Sequence, residues 1–410
     1  MTSNVNTTPA GSQTVRRRPR DRKASIAAIA SDMFAARGFN SVRMEDIAAE
    51  AGITARALYR HYANKQELLS HIINASQRRF IAAFDAPGDP GASPSGRLDA
   101  TLARLAAASL ASPHFNVLWQ REARYLAEDD QRIVRQRLRA MAAQMAKLIS
   151  ENLDELGAEQ AQLRAWAVIT AVSSPGRHPD LSVPPSRFAR LLVTAANAAI
   201  HSEPIRPGDG APLSPAAAGR HVTLPSRREQ VLAAATEMFR GAGFQAVNIN
   251  QIGQRAGIAG PAIYRYFGAK GDILVALIGR YYEWLAYEMV QALRAAKPTQ
   301  PAEVLARLVE GHARVAAVAP DLVAVAINDW IDLPLDEAEQ LQRVRSDYYA
   351  AWAEHVLSND PKRTRAEAMA LVRIAITVIE DTVRIARMAA RPDFAPAIAA
   401  IALGILTARG

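Results

Sequence analysis

Thr54, Ala55, Arg56, Tyr59, Arg60, His61 and Lys65 fall within twelve consecutive positions. A hydroxyl at Thr54 can accept a main-chain N–H and so start a helix. Arg56 then lies on the first turn. Its planar guanidinium offers parallel donors, which match O6 and N7 of a guanine in a major groove. Tyr59, Arg60 and His61 lie on or beside the same face and can reach bases or phosphates. Tyr59 also suits a half-buried core position, and Leu58 and Tyr62 suit the core outright. Lys65 opens the next helix, where main-chain amides and the dipole favour a phosphate. A second set stands 205 residues further on: Ala259, Gly260, Pro261, Tyr264, Arg265 and Lys270. It keeps the tyrosine, one arginine and the lysine. It lacks the hydroxyl cap and the guanine-reading arginine, although Pro261 still suits the first turn of a helix. Arg43 and Asn248 complete the candidate set. Arg37 and Arg78 read as solvated surface.

The frame that must position these residues is a repeat. FAARGFNSVRMEDIAAEAGITARALYRHYANK, residues 34–65, aligns without a gap on FRGAGFQAVNINQIGQRAGIAGPAIYRYFGAK, residues 239–270. A repeat of that length means two copies of one domain. Upstream, Ile26, Ile29, Ala30, Met33 and Phe34 recur at i, i+3, i+4, i+7 and i+8, and Val231, Ala234, Ala235, Met238 and Phe239 repeat the spacing. Each set is one apolar helical stripe. Gly38 and Gly243 stand where that helix should end. Short second helices follow over 44–51 and 249–256. Gly52-Ile53 and Gly257-Ile258 turn the chain, third short helices run to Tyr62 and Phe267, and long helices begin near Lys65 and Lys270. This order is a helix-turn-helix.

The motif Phe-x3-Gly-Phe, then Ile-Ala-x2-Ala-Gly-Ile-Thr-x3-Leu-Tyr-x-His-Tyr-x2-Lys, resembles the DNA-binding domain of the TetR family of transcriptional regulators. The second copy keeps the frame but departs inside its third helix. The resemblance implies that Tyr59, His61 and Lys65 touch DNA. It also implies an all-α fold of two fused units, each a helix-turn-helix domain plus a helical bundle. In such proteins the last two helices of each subunit form a four-helix dimer interface. Carried over, 158–172 and 187–200 pack on 365–388 and 394–407, joining two halves of one chain into a pseudo-dimer.

Charge follows the repeat. Residues 1–80 carry a net +7 and residues 220–280 a net +5, whereas the chain as a whole carries +9. The positive regions are those that hold the motif, and a phosphate backbone is a polyanion suited to them. A solvated arginine-rich surface is the plainer reading. Residues 16–23, RRRPRDRK, combine Pro19 with charge repulsion and so make a poor helix. Arg16, Arg17, Arg18 and Arg20 form either an arm for an adjacent minor groove or a tail of nonspecific affinity.

The chain divides into a tail (1–15), a first DNA-binding domain with its arm (16–84), a first bundle (97–202), a linker (203–225), a second DNA-binding domain (226–280) and a second bundle (281–410). Helices are expected over 98–109, 116–127, 131–156, 158–170 and 187–200 in the first bundle. In the second they are expected over 302–318, 322–331, 337–357, 365–388 and 394–407. The Pro- and Gly-rich linker has the composition of a spacer. The resemblance implies an effector cavity in each bundle. Candidates are His114, Phe115, Trp119, Arg124 and Tyr125 in the first half, and Tyr281, Trp284, His312, Trp330 and Trp352 in the second. Ordinary core or surface packing is the plainer reading of each. The apolar bias suggests a hydrophobic effector, and the resemblance suggests a lipid, a sterol breakdown product or a coenzyme A ester.

With no cysteine in the chain, disulfides, zinc fingers and thiol catalysis are excluded, and a reducing cytoplasm is the expected location. No apolar run of about 18 residues suggests a membrane span. H-E-x-x-H, G-x-S-x-G and P-loop patterns are missing, so an enzyme, a metal site and a cofactor are not expected. The expected function is a repressor that binds double-stranded, non-palindromic operator DNA and is released by a hydrophobic effector. A nonspecific architectural DNA-binding protein is the rival.

Overall fold

A computed structural model describes residues 19–409 apart from 87–88, 90, 154, 178–181, 204–225 and 297–299. Arg16, Arg17, Arg18, the side chain of Arg20 and most of the expected linker lie outside the described residues. Among the described residues there is no strand.

The first half begins with α1 (Pro19–Arg37), α2 (Met44–Glu50) and α3 (Ala55–Tyr59). Pro19 heads α1, where its fixed φ and missing N–H are tolerated. The expectation of a non-helical arm therefore fails from residue 19 onward. One face of α1 buries Ile26, Ala30 and Phe34. The long α4 (Lys65–Asp85) leads into a body of α5 (Pro94–Leu110), α6 (Glu128–Ser150), α7 (Ala158–Ser173) and α8 (Pro185–His201). Asn64 starts α4 by accepting a 2.8 Å bond from the Glu67 amide.

The second half repeats the order with α9 (Arg227–Ala242), α10 (Ile249–Arg255) and a 3₁₀ segment, Gly260–Arg265. Then come α11 (Lys270–Ala295), α12 (Pro301–Val318), α13 (Pro320–Asn328), α14 (Leu335–Asn359), α15 (Arg365–Thr382) and α16 (Phe394–Thr407). A reciprocal box between Thr364 and Glu367 starts α15, with amide bonds of 2.9 and 3.3 Å. Residue 280 lies inside α11, so one rigid helix crosses from the second helix-turn-helix into its body.

Two expected helices break. Residues 116–127 form a short α turn (Phe115–Val117), a π turn (Leu118–Glu122) and a 3₁₀ turn (Ala123–Tyr125). Tertiary bonds account for it. Arg121 donates to the carbonyls of Phe34 and Ala35 at the end of α1, while Arg124 turns to Asp329 of the other half. The 365–388 segment ends as a long helix at Thr382, and Arg384 beyond it reaches Asn328 and the Gln120 carbonyl.

The halves meet where α7 and α8 pack on α15 and α16. Val168, Leu192, Ala195, Leu371, Ile374, Ile398 and Ile405 are fully buried there. Each of the valine, leucine and isoleucine side chains contributes about 1.5–3 kcal/mol through burial. Gly404 permits the close crossing of α8 and α16, since a Cβ on it would stand 3.1 Å from the Ala198 carbonyl oxygen. An ionic cluster caps the apolar seam. Arg177 of the first half pairs with Glu380 at 2.6 Å and Asp381 at 2.9 Å, and Asn116 donates to Asp381 at 2.9 Å. Burial pushes Glu380 up, but the Arg177 guanidinium outweighs it and holds the carboxyl below its ordinary range.

Candidate nucleic-acid interface

Each helix-turn-helix is built on two glycines of positive φ at matching positions, 38 and 52 in the first and 243 and 257 in the second. Gly52 and Gly257 make the tight turn, with φ of +62° and +69°, that L side chains resist. Beyond the turn, Thr54 Oγ1 accepts from the Ala57 amide at 3.2 Å and starts α3. Leu58 and Tyr62 are buried, and the Tyr62 hydroxyl donates to the Lys23 carbonyl. Tyr59 is 46% exposed, which removes its core reading. Arg43, Arg56 and Arg60 are exposed, His61 is half-buried, and Ala55 packs partly on the core. Arg56 and Arg60 make no hydrogen bond or ion pair among the described residues. Their donors are open to an external acceptor.

The second face has a different build. Ala259 supplies no side-chain cap, and Gly260–Arg265 is a 3₁₀ segment rather than an α-helix. Gly260 is buried against α10: a Cβ on it would stand 2.1 Å from Asn250 Oδ1, and one on Gly253 would stand 2.8 Å from the Gly260 Cα. The first copy has Ala48 and Ala55 at these positions, which keeps its two helices further apart. Pro261, Tyr264 and Arg265 are exposed, and Asn248 caps α10 by accepting from the Gln251 amide at 3.0 Å. The second copy therefore presents a 3₁₀ segment packed closely on α10, with Arg265 as the exposed arginine of that segment.

The lysines differ from the sequence expectation. Lys65 Nζ donates to the Phe39 and Val42 carbonyls at 2.7 and 2.9 Å and lies 4.2 Å from the Phe39 ring centroid. Lys270 does the same to Phe244 and Val247, at 2.8 Å each, 4.1 Å from the Phe244 ring. Burial lowers the pKa of both. Two of three ammonium donors thus hold the loop between the first and second helices. Each lysine is only partly buried, and its third donor has no partner among the described residues.

The bodies grip these modules crosswise. Arg124 of the first body lies against Gly243 of the second module, where a Cβ would meet its guanidinium carbon at 2.4 Å. It bonds Asp329 at 3.0 Å, and Asp329 in turn accepts from the Phe244 amide. Reciprocally, Ile331 of the second body packs on Gly38 of the first module. Tyr125 stacks on Phe39 with centroids 4.9 Å apart and accepts from Asn40 at 2.7 Å. Arg124 and Tyr125, expected as effector contacts, thus join body to module.

Of the other effector candidates, Tyr281 and Trp330 line a pocket of about 540 Å³ between the halves. His312 and Trp352 are fully buried core, with the His312 ring bonded to the Tyr281 and Tyr348 hydroxyls. Phe115 is buried against Phe80, His114 bonds Asp32, Trp119 is half-buried, and Trp284 is 40% exposed. None of these six lines the pocket. Residues that do, such as Arg345 and Tyr349, were missed. Gln342, Arg345, Ser346 and Tyr349 share one α14 face at i, i+3, i+4 and i+7, a polar stripe readable from spacing.

Two helix-turn-helix modules on helical bodies define a class of DNA-binding fold, and the comparisons agree. Residues 26–72 and 231–277 match the family model for bacterial regulatory proteins, tetR family. The chain is therefore built from two tandem TetR-like units. It is 33% identical over 89 residues to the HTH-type transcriptional activator FasR of Mycolicibacterium smegmatis, covering 22% of this chain and 41% of that protein. It is 32% identical over 77 residues to the HTH-type transcriptional repressor KstR2 of Mycobacterium tuberculosis, covering 19% and 38%. The chain thus spans about two fifths of each of these curated relatives. Among solved structures, a TetR-family transcriptional regulator from Bordetella parapertussis matches with a TM-score of 0.40 and 18% identity, over 43% of this chain and 93% of that one. No helix among the described residues is long and apolar enough to cross a membrane.

Proposed function

We propose that the chain is a DNA-binding transcriptional repressor that acts as a one-chain pseudo-dimer on a non-palindromic operator and is released by a small molecule with a large apolar body. The observation that carries this reading is the inequality of the two exposed recognition segments. A palindromic site mirrors two identical recognition helices. Here one half offers the unpaired Arg56 behind a threonine cap. The other offers Pro261 on a 3₁₀ segment, with Arg265 as its cation. The first half should read guanine, and the second should hold phosphate and read fewer bases. The contacts of Arg124 and Ile331 across the halves favour release by re-spacing, because a shift of either body moves the other half's module. Its relatives include one named as an activator and one named as a repressor. Selection of sites from random DNA tests the operator claim, and a symmetric inverted repeat as the preferred site overturns it. Reporter expression with and without the chain tests the sign.

A further inference from the structure

The pocket between the halves has a chemistry that neither half's core requires. Its floor comes from the second body: Tyr282, Trp330, Arg345, Tyr349 and Glu380. Its rim comes from the first half and includes Ala35, Gln120, Arg121 and Arg177. Four arginines and one carboxylate line it, counting Arg373. The carboxylate is already matched, since Glu380 takes Arg177 at 2.6 Å and the Tyr281 hydroxyl at 2.8 Å. Arg121 and Arg177 are paired as well, with Glu122 and Asp381, so Arg345 is the pocket arginine open to an outside anion. The Tyr282 and Tyr349 hydroxyls make no hydrogen bond among the described residues, although the two residues are only 6% and 7% exposed. Burial pushes the Tyr349 hydroxyl up to about 12, so it stays a donor at neutral pH. Arg345 has no carboxylate partner among the described residues. It touches Gln342, and its guanidinium lies 4.1 Å from the Trp330 ring centroid. All three groups line the pocket, where an anion's oxygens can take their donors. Trp330, Ile327, Ile331, Ala326 and Val117 provide apolar wall beside them.

We propose that this pocket binds an organic anion with a flat or apolar body, its charged oxygens taken by Arg345, Tyr282 and Tyr349 and its body lying along Trp330. Such a ligand touches both halves at once. It also sits beside Ile331, which packs on Gly38, and beside Arg121, which bonds the last carbonyls of α1. The pocket is therefore lined by both halves. Its regulatory consequence rests on the effector part of the proposed function, but the binding does not.

The full-length chain is titrated, without DNA, with pyrene-1-butyrate and with the uncharged pyrene-1-butyramide, following energy transfer from tryptophan to pyrene. The acid should bind at least tenfold more tightly than the amide. Arg345→Gln should bring the two within about twofold, and Tyr349→Phe should lower acid affinity at unchanged melting temperature, since that hydroxyl has no protein partner to lose. Trp330→Phe should remove most of the transfer. Equal affinities in the wild type, or an acid preference that survives both Arg345→Gln and the Tyr282→Phe/Tyr349→Phe double variant, overturns the site. A chain that binds no DNA would sink the regulator reading and leave this one standing.

Discussion

Arg56 is the residue whose side chain has most freedom to read a base. Its Ala variant should lose about 1–3 kcal/mol of operator affinity if a forked guanine contact goes with it. The loss should fall in one half-site only, visible as relaxed preference there in a repeated site selection. Lys270 is the opposite case. Its ammonium ties two loop carbonyls, so Lys270→Ala leaves them unpaired beneath Phe244. The variant should destabilise the fold by about 1–3 kcal/mol, seen as a lower denaturant midpoint. Binding by the fraction still folded should keep the wild-type salt slope, because no phosphate contact is removed. A slope reduced by about one at full stability would return Lys270 to the phosphate-binding set.

At the scale of elements, the second recognition segment depends on backbone contact with α10. A methyl at Gly260 has Asn250 within 2.1 Å on one side, and one at Gly253 has the Gly260 backbone within 2.8 Å. Gly253→Ala should therefore push the segment off α10 at about 1–3 kcal/mol of strain. It should weaken protection from footprinting reagents at the second half-site before the first. The corresponding Ala48 already carries its methyl group, so Ala48→Gly should leave the second half-site footprint untouched. A lysine or arginine in place of Pro261 has no such conflict and tests whether the second half can be given a base-reading cation.

For the whole molecule, the seam between halves is larger and more apolar than the crosswise grip on the DNA modules. Cutting at a protease site engineered into 205–222 should leave the two halves co-sedimenting, because α7, α8, α15 and α16 hold them without the connection. Free halves after cleavage would show that the connection itself maintains the assembly. Asp329, at the grip, gives the assembly a pH signature. Burial lifts its carboxyl from 3.8 to about 6, against the pull of Arg124. Between those values the folded state holds the proton more tightly than the unfolded one. This group's contribution to stability therefore falls as pH rises through 4 to 6 and is flat outside that window. Asp329→Asn cannot ionise, so its stability relative to wild type should rise between pH 4 and pH 7 in thermal scans. A constant difference would mean that Arg124 keeps the carboxylate charged throughout.

The gapless 32-residue repeat, the glycine positions and the apolar stripes determined two helix-turn-helix modules before any coordinates, because turn stereochemistry and helical period are local properties written in adjacent residues. The Thr54 cap and the exposure of Arg56 belong with them, whereas the pairing of helices across the seam was implied by the family resemblance rather than by spacing. Other features depended on residues hundreds of positions apart. Lys65 and Lys270 look like phosphate contacts until the carbonyls they meet are in place. Arg124 and Tyr125 look like cavity lining until the other half brings Asp329 and Phe39 brings its ring. The unravelled helix over 116–127 has ordinary helical periodicity, and tertiary bonds from Arg121 and Arg124 override it. The shared pocket exists only because two bodies face each other, so tertiary packing alone decided which tyrosine hydroxyls and which arginine would line it.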